Sequence, residues 1–377
     1  MVDSFQQATD REWMDQALAL ASLGTFSTSP NPRVGCVLVK DGALVGSGWH
    51  QQAGGDHAEV MALKEAGSSA QDATAYITLE PCNHHGRTPP CSEALVSVGI
   101  ARAVVAIEDP DPRTAGMGIA RLTQAGIDVC LGVGAEPARE LNIGFIHRQQ
   151  TGRPWLRLKL AASLDGRATG PDGRSQWITS EQARADGHQW RARACAVLTG
   201  INTILADDPL LTARLDHSKQ PIKQPIRVIL DSHGKVPKHA KIFQCEAPVW
   251  VASTVQRPEW FDAISSDRIQ WHQLDADPHG RVDLNGLVHW LGQRELNEVH
   301  VEAGPTLSGA FLAGGFIDEV LLYQAPTFLG EGKPMVALPE IKRFDQRMRM
   351  NCVDVSQVGP DQCLRLRWPD HPDALKT

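Results

Sequence analysis

The chain has 377 residues, 42% of them apolar and 21% charged, a length that exceeds one ordinary core and a composition typical of globular proteins, so two domains are expected. Its net charge of −7 sits entirely in residues 1–150, which hold 10 Lys and Arg against 17 Asp and Glu; that disfavours a nucleic-acid-binding face and favours a small-molecule substrate. No apolar run approaches the roughly 18 residues that cross a bilayer, and the amino terminus lacks the basic and apolar regions of an export signal, so no membrane partner and a cytoplasmic location are expected.

In chain order, Thr9-Asp10-Arg11-Glu12 has the form of a capping box, and Trp13, Met14, Ala17, Leu18 and Ala21 recur at helical spacing up to Gly24. Residues 34–40 and 44–49 predict strands joined by an Asp41-Gly42 turn. A helix opens at His57 behind the breaker Gly54-Gly55-Asp56 and runs to about residue 66. Strands at 75–80, 104–108 and 127–131 alternate with helices at 92–98 and near 119–124, which predicts a three-layer α/β domain. Gln149 to Pro154 marks the boundary, giving domains 1–150 and 151–377. Beyond it a strand at 155–161 and a helix at 181–194 lead into strands at 196–199, 226–230, 249–252, 299–302, 320–324 and 363–368, a second α/β sheet. In a reducing compartment Cys36, Cys130, Cys195, Cys245, Cys352 and Cys363 read as small buried apolar residues.

His57-Ala58-Glu59, then Pro81-Cys82, then Cys91 carry the chemistry. One imidazole and two thiolates suit zinc, and three protein ligands leave a fourth position open for water. Glu59 is near enough in sequence to move a proton between that water and a leaving amine, the arrangement of the zinc nucleobase deaminases. On a regular helix residues two apart point to opposite sides, so His57 and Glu59 share one site only if His57 stands outside the first turn. A fourth donor from His84 or His85 would instead close the site into a structural clip. Cys82 and Cys91 are separated by eight residues, where deaminases usually have two.

The string Pro81-Cys82-Asn83-His84-His85-Gly86-Arg87-Thr88-Pro89-Pro90-Cys91, with Asn31-Pro32-Arg33-Val34-Gly35 and Gly48-Trp49-His50 before it, resembles the bifunctional pyrimidine deaminase/reductase family of riboflavin biosynthesis. The likeness continues through Ala162-Ser163-Leu164-Asp165-Gly166-Arg167, Ser175-Gln176-Trp177-Ile178-Thr179 and Ala206-Asp207-Asp208-Pro209. It implies a cytidine-deaminase-like α/β/α domain followed by a dihydrofolate-reductase-like α/β domain. It also implies two reactions on a pyrimidine ribosyl phosphate: zinc-dependent hydrolytic deamination, then NADPH-dependent reduction of the ribosyl group to ribityl.

The same resemblance implies residue roles. His57, Cys82 and Cys91 would bind zinc, Glu59 would shuttle the proton, and Asn31, His50 and Arg87 would meet the deaminase substrate. Ala161, Trp177, Thr203, Asp207 and Ser232, with Gly304, Pro305, Thr306, Leu307, Ser308, Gly309 and Ala310, would line NADPH. Ser175, Arg191, Leu211, Arg214 and Glu302 would hold the reductase substrate. The residues themselves support only part of this: no Gly-x-Gly-x-x-Gly is present, while Val301 to Gly309 reads as a strand entering a helix whose free N–H groups suit a phosphate. Ala303 replaces the first of two glycines usual in the family. A homo-oligomer, dimer or tetramer, is expected. Rival readings are a deaminase of another nucleobase joined to a non-catalytic nucleotide-binding domain, and a non-enzymatic protein with structural zinc.

Overall fold

Alternating strands and helices build two units, Met1–Gly152 and Arg153–Thr377, in the computed structural model, which describes residues 2–83, 90–111, 114–215 and 222–369. The first unit contains α1 (Val2–Ser22), β1 (Gly35–Lys40), β2 (Ala43–Trp49), α2 (Ala58–Ala66), β3 (Thr74–Ile77), α3 (Cys91–Val98), β4 (Arg102–Val105), α4 (Met117–Gln124), β5 (Asp128–Leu131), α5 (Ala135–Leu141) and α6 (Ile143–Thr151). Its sheet runs β2-β1-β3-β4-β5, with β1 antiparallel to both neighbours and β3, β4 and β5 parallel. Asp41 (φ 51°) and Gly42 (φ 77°) both take left-handed backbone, the turn whose twist matches a two-residue hairpin.

Strand alternation divides the core. Cys36, Leu38, Ala75 and Ile77 face Ala58, Ala62 and Ala66 of α2, Leu95 of α3 and Leu122 of α4. Val37, Val39, Tyr76 and Val104 face Met14 and Ala17 of α1, Ala138 of α5 and Ile146 of α6. Both faces are covered, which is the expected three-layer architecture.

One local expectation fails. The Thr9-Asp10-Arg11-Glu12 segment lies inside α1 instead of capping it. Asp10 is buried and accepts from both terminal nitrogens of Arg102 at 2.8 Å and from the Tyr76 hydroxyl at 2.9 Å. Burial alone would raise its pKa, but the bonds from Arg102, Gln6 and Tyr76 win and hold the carboxyl below its usual range.

The second unit contains β6 (Trp155–Ser163), α7 (Glu181–Arg193), β7 (Ala196–Gly200), α8 (Ile201–Asp207), β8 (Ile226–Leu230), β9 (Val249–Ser253), β10 (Ile269–Gln273), α9 (Leu284–Gln293), β11 (Glu298–Val301), α10 (Pro305–Ala313), β12 (Glu319–Ala325), β13 (Asn351–Val358) and β14 (Asp361–Arg367). Its sheet runs β10-β9-β8-β7-β11-β6-β12-β14-β13, parallel from β10 to β12, with β14 and β13 adding antiparallel. Because β11 returns between β6 and β7, neighbouring connections diverge there, and open α/β sheets bind ligands beyond the carboxyl ends of such strands. Cys352 departs from its expected burial: it lies exposed on β13, the outer strand, where seven of eight residues are exposed.

In the first unit α2 rests directly on β2. A Cβ added at Gly48 would stand 2.3 Å from the Ala58 carbonyl oxygen, and one at Gly46 2.3 Å from that of Ala62. Gly48→Ala therefore forces the first turn of α2 outward. It should cost about 1–3 kcal/mol of stability and lower bound zinc per chain, checked by thermal unfolding and metal analysis.

Candidate active site

Three donors converge where two helices begin. His57 is the N-cap of α2, with extended backbone (φ −74°, ψ 160°), so it stands outside the helix while Glu59 lies in its first turn. Cys91 is the first residue of α3 and Cys82 lies in the loop after β3, where its carbonyl accepts from Ser92 N–H at 3.2 Å. His57 Nδ1 is 3.2 Å from Cys91 Sγ and 3.5 Å from Cys82 Sγ, and all three donor atoms lie within 4.8 Å of one another. Tetrahedral zinc with normal Zn–N and Zn–S lengths needs neighbouring donors about 3.5–3.8 Å apart. The set therefore fits zinc, bound by one ring nitrogen and two sulfurs. Among the described residues no other group of three such donors is this close; His84, His85 and Arg87 lie outside the described residues.

The electrostatics suit a cation. Cys82 sulfur, facing the Cys91 thiol and the Cys91 N–H, is pulled down to about 4, while the hydrogen bond to Cys82 and burial push Cys91 the other way. Contact with Cys82 raises His57 to about 9. Glu59 is buried, which pushes it up to about 7, and its carboxyl borders Cys91.

Asn31 and His50 join this site. Asn31 Nδ2 donates to His50 Nε2 at 3.0 Å, so His50 carries its proton on Nδ1 and donates it to the Asp56 carbonyl at 3.0 Å. Burial lowers the His50 pKa, in keeping with this neutral ring, and the ring stands edge-on to His57 at 5.5 Å.

In the second unit Ala161, Thr203, Ser232 and residues 304–310 all lie at or just beyond the carboxyl ends of the neighbouring strands β6, β7, β8 and β11. Gly304 caps α10 without a side-chain bond, Pro305 is its first residue, and the space around Gly304 is open. Gly309 has a different reason: a Cβ there would stand 1.9 Å from the Ala337 carbonyl oxygen. Ser232 Oγ accepts from Val282 N–H at 3.0 Å. Asp207 ends α8, exposed, and Trp177 is exposed with the Arg184 guanidinium over its ring at 4.3 Å. Ser175, also exposed, shares the loop of Trp177.

Arg191 and Glu302 pair with each other, through Nε to Oε1 and through Nη2 to Oε2 at 2.8 Å, and Arg191 also reaches the Thr212 carbonyl. Leu211 is buried beside Thr212 with φ 53°. Arg214 reaches His188 Nε2 at 2.8 Å. Lys159, on β6, senses both Glu302 and Arg191, and burial lowers its pKa.

Residues 7–107 match the family model described as the cytidine and deoxycytidylate deaminase zinc-binding region, and residues 154–364 match the RibD C-terminal domain. The riboflavin biosynthesis protein RibD of Escherichia coli is 46% identical over 368 residues, spanning 95% of this chain and 99% of that protein. The chain belongs to the RibD family. Its Aquifex aeolicus relative is 40% identical across 93% of this chain and 96% of its own. The Acinetobacter baumannii RibD structure superposes with a TM-score of 0.89 at 44% identity, covering 96% of this chain and 99% of that one. A deaminase/reductase from Thermotoga maritima does so at 0.87 and 31%, with the same coverage. This RibD-family chain is a bifunctional deaminase and reductase of riboflavin biosynthesis that uses zinc and NADPH and acts on a small pyrimidine. No helix among its described residues is long and apolar enough to cross a membrane.

Sequence reasoning in this family member missed Glu80. Its buried carboxylate accepts from the N–H groups of Asp109 (3.1 Å), Gly116 (2.9 Å), Gly118 (2.8 Å) and Ile119 (3.0 Å), fixing the loop into α4 two residues before Cys82. Its signal was its place at the end of a buried strand run.

His188, pressed by burial and by Arg191 and Arg214, has its pKa lowered to about 4. A histidine held neutral contributes stability above its unfolded pKa of about 6.5, and that contribution is lost as pH falls toward 4. The second unit should therefore unfold at lower temperature at pH 5 than at pH 7.5, and His188→Asn should flatten that slope; calorimetry at the two pH values checks it.

Proposed function

We propose that residues 1–150 form the deaminase and residues 151–377 the reductase. Their substrates would be 2,5-diamino-6-(5-phosphoribosylamino)pyrimidin-4(3H)-one and the 5-amino-6-(5-phosphoribosylamino)uracil derived from it. The observation that supports the first assignment is the spacing of His57 Nδ1, Cys82 Sγ and Cys91 Sγ, with the Glu59 carboxyl against Cys91. Zinc, which those three donors would hold, would supply a water of pKa about 7, a nucleophile at neutral pH. Glu59 would take the water proton and deliver it to the ring nitrogen beside the amino-bearing carbon, then take the second proton from the hydroxyl added to that carbon and pass it to the amino group, which leaves as ammonia as the C–N bond breaks. Burial suits Glu59 to this, since a carboxyl near neutrality both accepts and releases a proton. Asn31 and His50 would hold the pyrimidine edge, and Arg87 would meet the substrate at its phosphate.

In the second unit NADPH supplies the hydride, so the protein's task is to place the cofactor against the substrate. The open mouth of α10 at Gly304, with Pro305, Thr306, Leu307, Ser308, Gly309 and Ala310, receives a cofactor phosphate, flanked by Ala161, Trp177, Thr203, Asp207 and Ser232. Ser175, Arg191, Leu211, Arg214 and Glu302 receive the ribosyl phosphate substrate. Arg191, already paired with Glu302, orients that carboxylate, and the exposed Arg214, held by Thr212 and His188, offers its guanidinium to the phosphate. The protein works in the cytoplasm as a homo-oligomer, and the exposed outer edge of β13, with Val353 and Val355, offers a surface for pairing.

Ammonia release and NADPH oxidation followed in parallel test this reading. Glu59→Gln should keep zinc but lose about 10²–10⁴-fold in deamination rate, with NADPH oxidation on supplied aminouracil unchanged. A chelator should likewise stop ammonia release alone. Near-parent deamination by Glu59→Gln would remove Glu59 from the proton path.

A further inference from the structure

We propose that Asn142 is a positioning residue for deamination, acting through Arg33 to hold Asn31 against His50; this rests on Asn31 and His50 being pocket residues. Asn142 stands at the junction of α5 and α6, buried, at the N-cap of α6. Asparagine at an N-cap normally spends its side chain on the first turn. Here it makes no capping bond. Its amide instead crosses 109 residues of sequence to Arg33: Oδ1 accepts the Arg33 N–H at 2.7 Å and Nδ2 donates to the Arg33 carbonyl at 2.9 Å. One side chain thus satisfies both backbone groups of one residue, as a neighbouring strand would. The Arg33 guanidinium closes the clamp from the other side, donating to the Leu141 carbonyl at 2.6 Å.

The clamped segment is the one that carries Asn31. Upstream it is tied by Asn31 N–H to the Thr28 carbonyl at 2.9 Å, and downstream by Gly35 N–H to Thr78 Oγ1 at 3.0 Å. Between these ties Asn31 donates to His50, and His50 donates to Asp56, the residue before His57. Removing the Asn142 amide strips two buried backbone groups of their partners, which a short loop relieves by moving toward water. The candidate zinc donors stand elsewhere, His57 at the mouth of α2, Cys91 at the start of α3 and Cys82 in the loop after β3. Loss of Asn142 should therefore weaken the hold on the pyrimidine and leave the metal in place.

The test compares full-length Asn142→Ala, Asn31→Ala and the double variant. It reads deamination KM and kcat, zinc per chain, and NADPH oxidation on supplied aminouracil as a check on folding. Each single variant should raise KM about 10-fold, within the 5- to 150-fold span of one orphaned buried hydrogen bond, with kcat, zinc and reductase rate near parent values. The double variant should be no worse than Asn31→Ala, because both act through one group. A parent-like KM for Asn142→Ala beside a raised KM for Asn31→Ala overturns the inference. So do effects that multiply, or zinc and reductase activity falling with KM. A parent-like KM for Asn31→Ala removes Asn31 from the pocket and this role of Asn142 with it. If Asn142→Ala does not fold, Asn142→Asp keeps the side-chain volume and the bond from Arg33 N–H, and is read by the same outcomes.

Discussion

Contact between the backbones of β2 and α2 is the constraint from which the deaminase centre follows. Gly46 and Gly48 present no side chains, and Ala58, Ala62 and Ala66 answer with the smallest available, so the helix axis comes closer to the sheet than larger residues permit. Ala70, Ala73, Ala75 and Ala103 continue the same thin layer. At that separation the start of α2 is fixed, and His57, the residue just outside it, turns its ring toward the start of α3. Helix mouths carry free N–H groups and positive potential, and the Cys91 N–H at the mouth of α3 favours thiolate at Cys82. A metal site placed there gains from the fold before any metal arrives.

The parts of the molecule that were readable from sequence are those in which one local run settles the answer. The buried strands β1, β6, β7, β8 and β9 are short apolar stretches between turn residues, and both parallel and central antiparallel strands with two covered faces must look like that. That His57, Cys82 and Cys91 come together was readable because donor type and order show directly in the sequence. What stayed hidden depends on distance along the chain or on half-buried surfaces. Asn142 and Arg33 meet across 109 residues with no pattern to join them. β10 carries Gln270, His272 and Gln273, and β13 exposes almost every residue, so neither shows an apolar run. Asp10 looked like a cap because a capping residue and a residue that binds a distant arginine are chemically alike.

In the second unit, the face of the sheet under α7 is polar through its depth. Arg157 (1% exposed) lies 3.0 Å from Glu298 (2%) and 3.4 Å from Glu319 (0%). Arg193 meets Glu298, while Arg365 and Arg367 meet Glu319. Burial would raise the Glu319 carboxyl, yet Arg157 and its neighbours hold it well below the carboxylate range. Trp190 packs beneath the Arg157 guanidinium at 4.5 Å. Removing one member of such a network leaves an uncompensated buried charge, so the arrangement fixes one register for β6, β11, β12 and β14 more firmly than it adds stability.

The same polar face changes character toward the carboxyl ends of the strands. Near Glu298 and Glu319 the four arginines are held in direct ion pairs, whereas Lys159 and Arg191 face one carboxylate, Glu302, and Arg214 reaches His188. His188 is kept neutral there and adds no charge. The imbalance is about two positive charges, the complement of a phosphate dianion. This unit is neutral overall and the deaminase unit is acidic, so net charge does not draw a phosphorylated pyrimidine to either. Attraction must come from local excess. Lys159 is half-buried with its pKa lowered by burial, so a nearby anion would stabilise its charged form. The polar layer that fixes the strands at one end thus gives way, toward their carboxyl ends, to a cluster of cationic side chains, the kind of local field that attracts an anion.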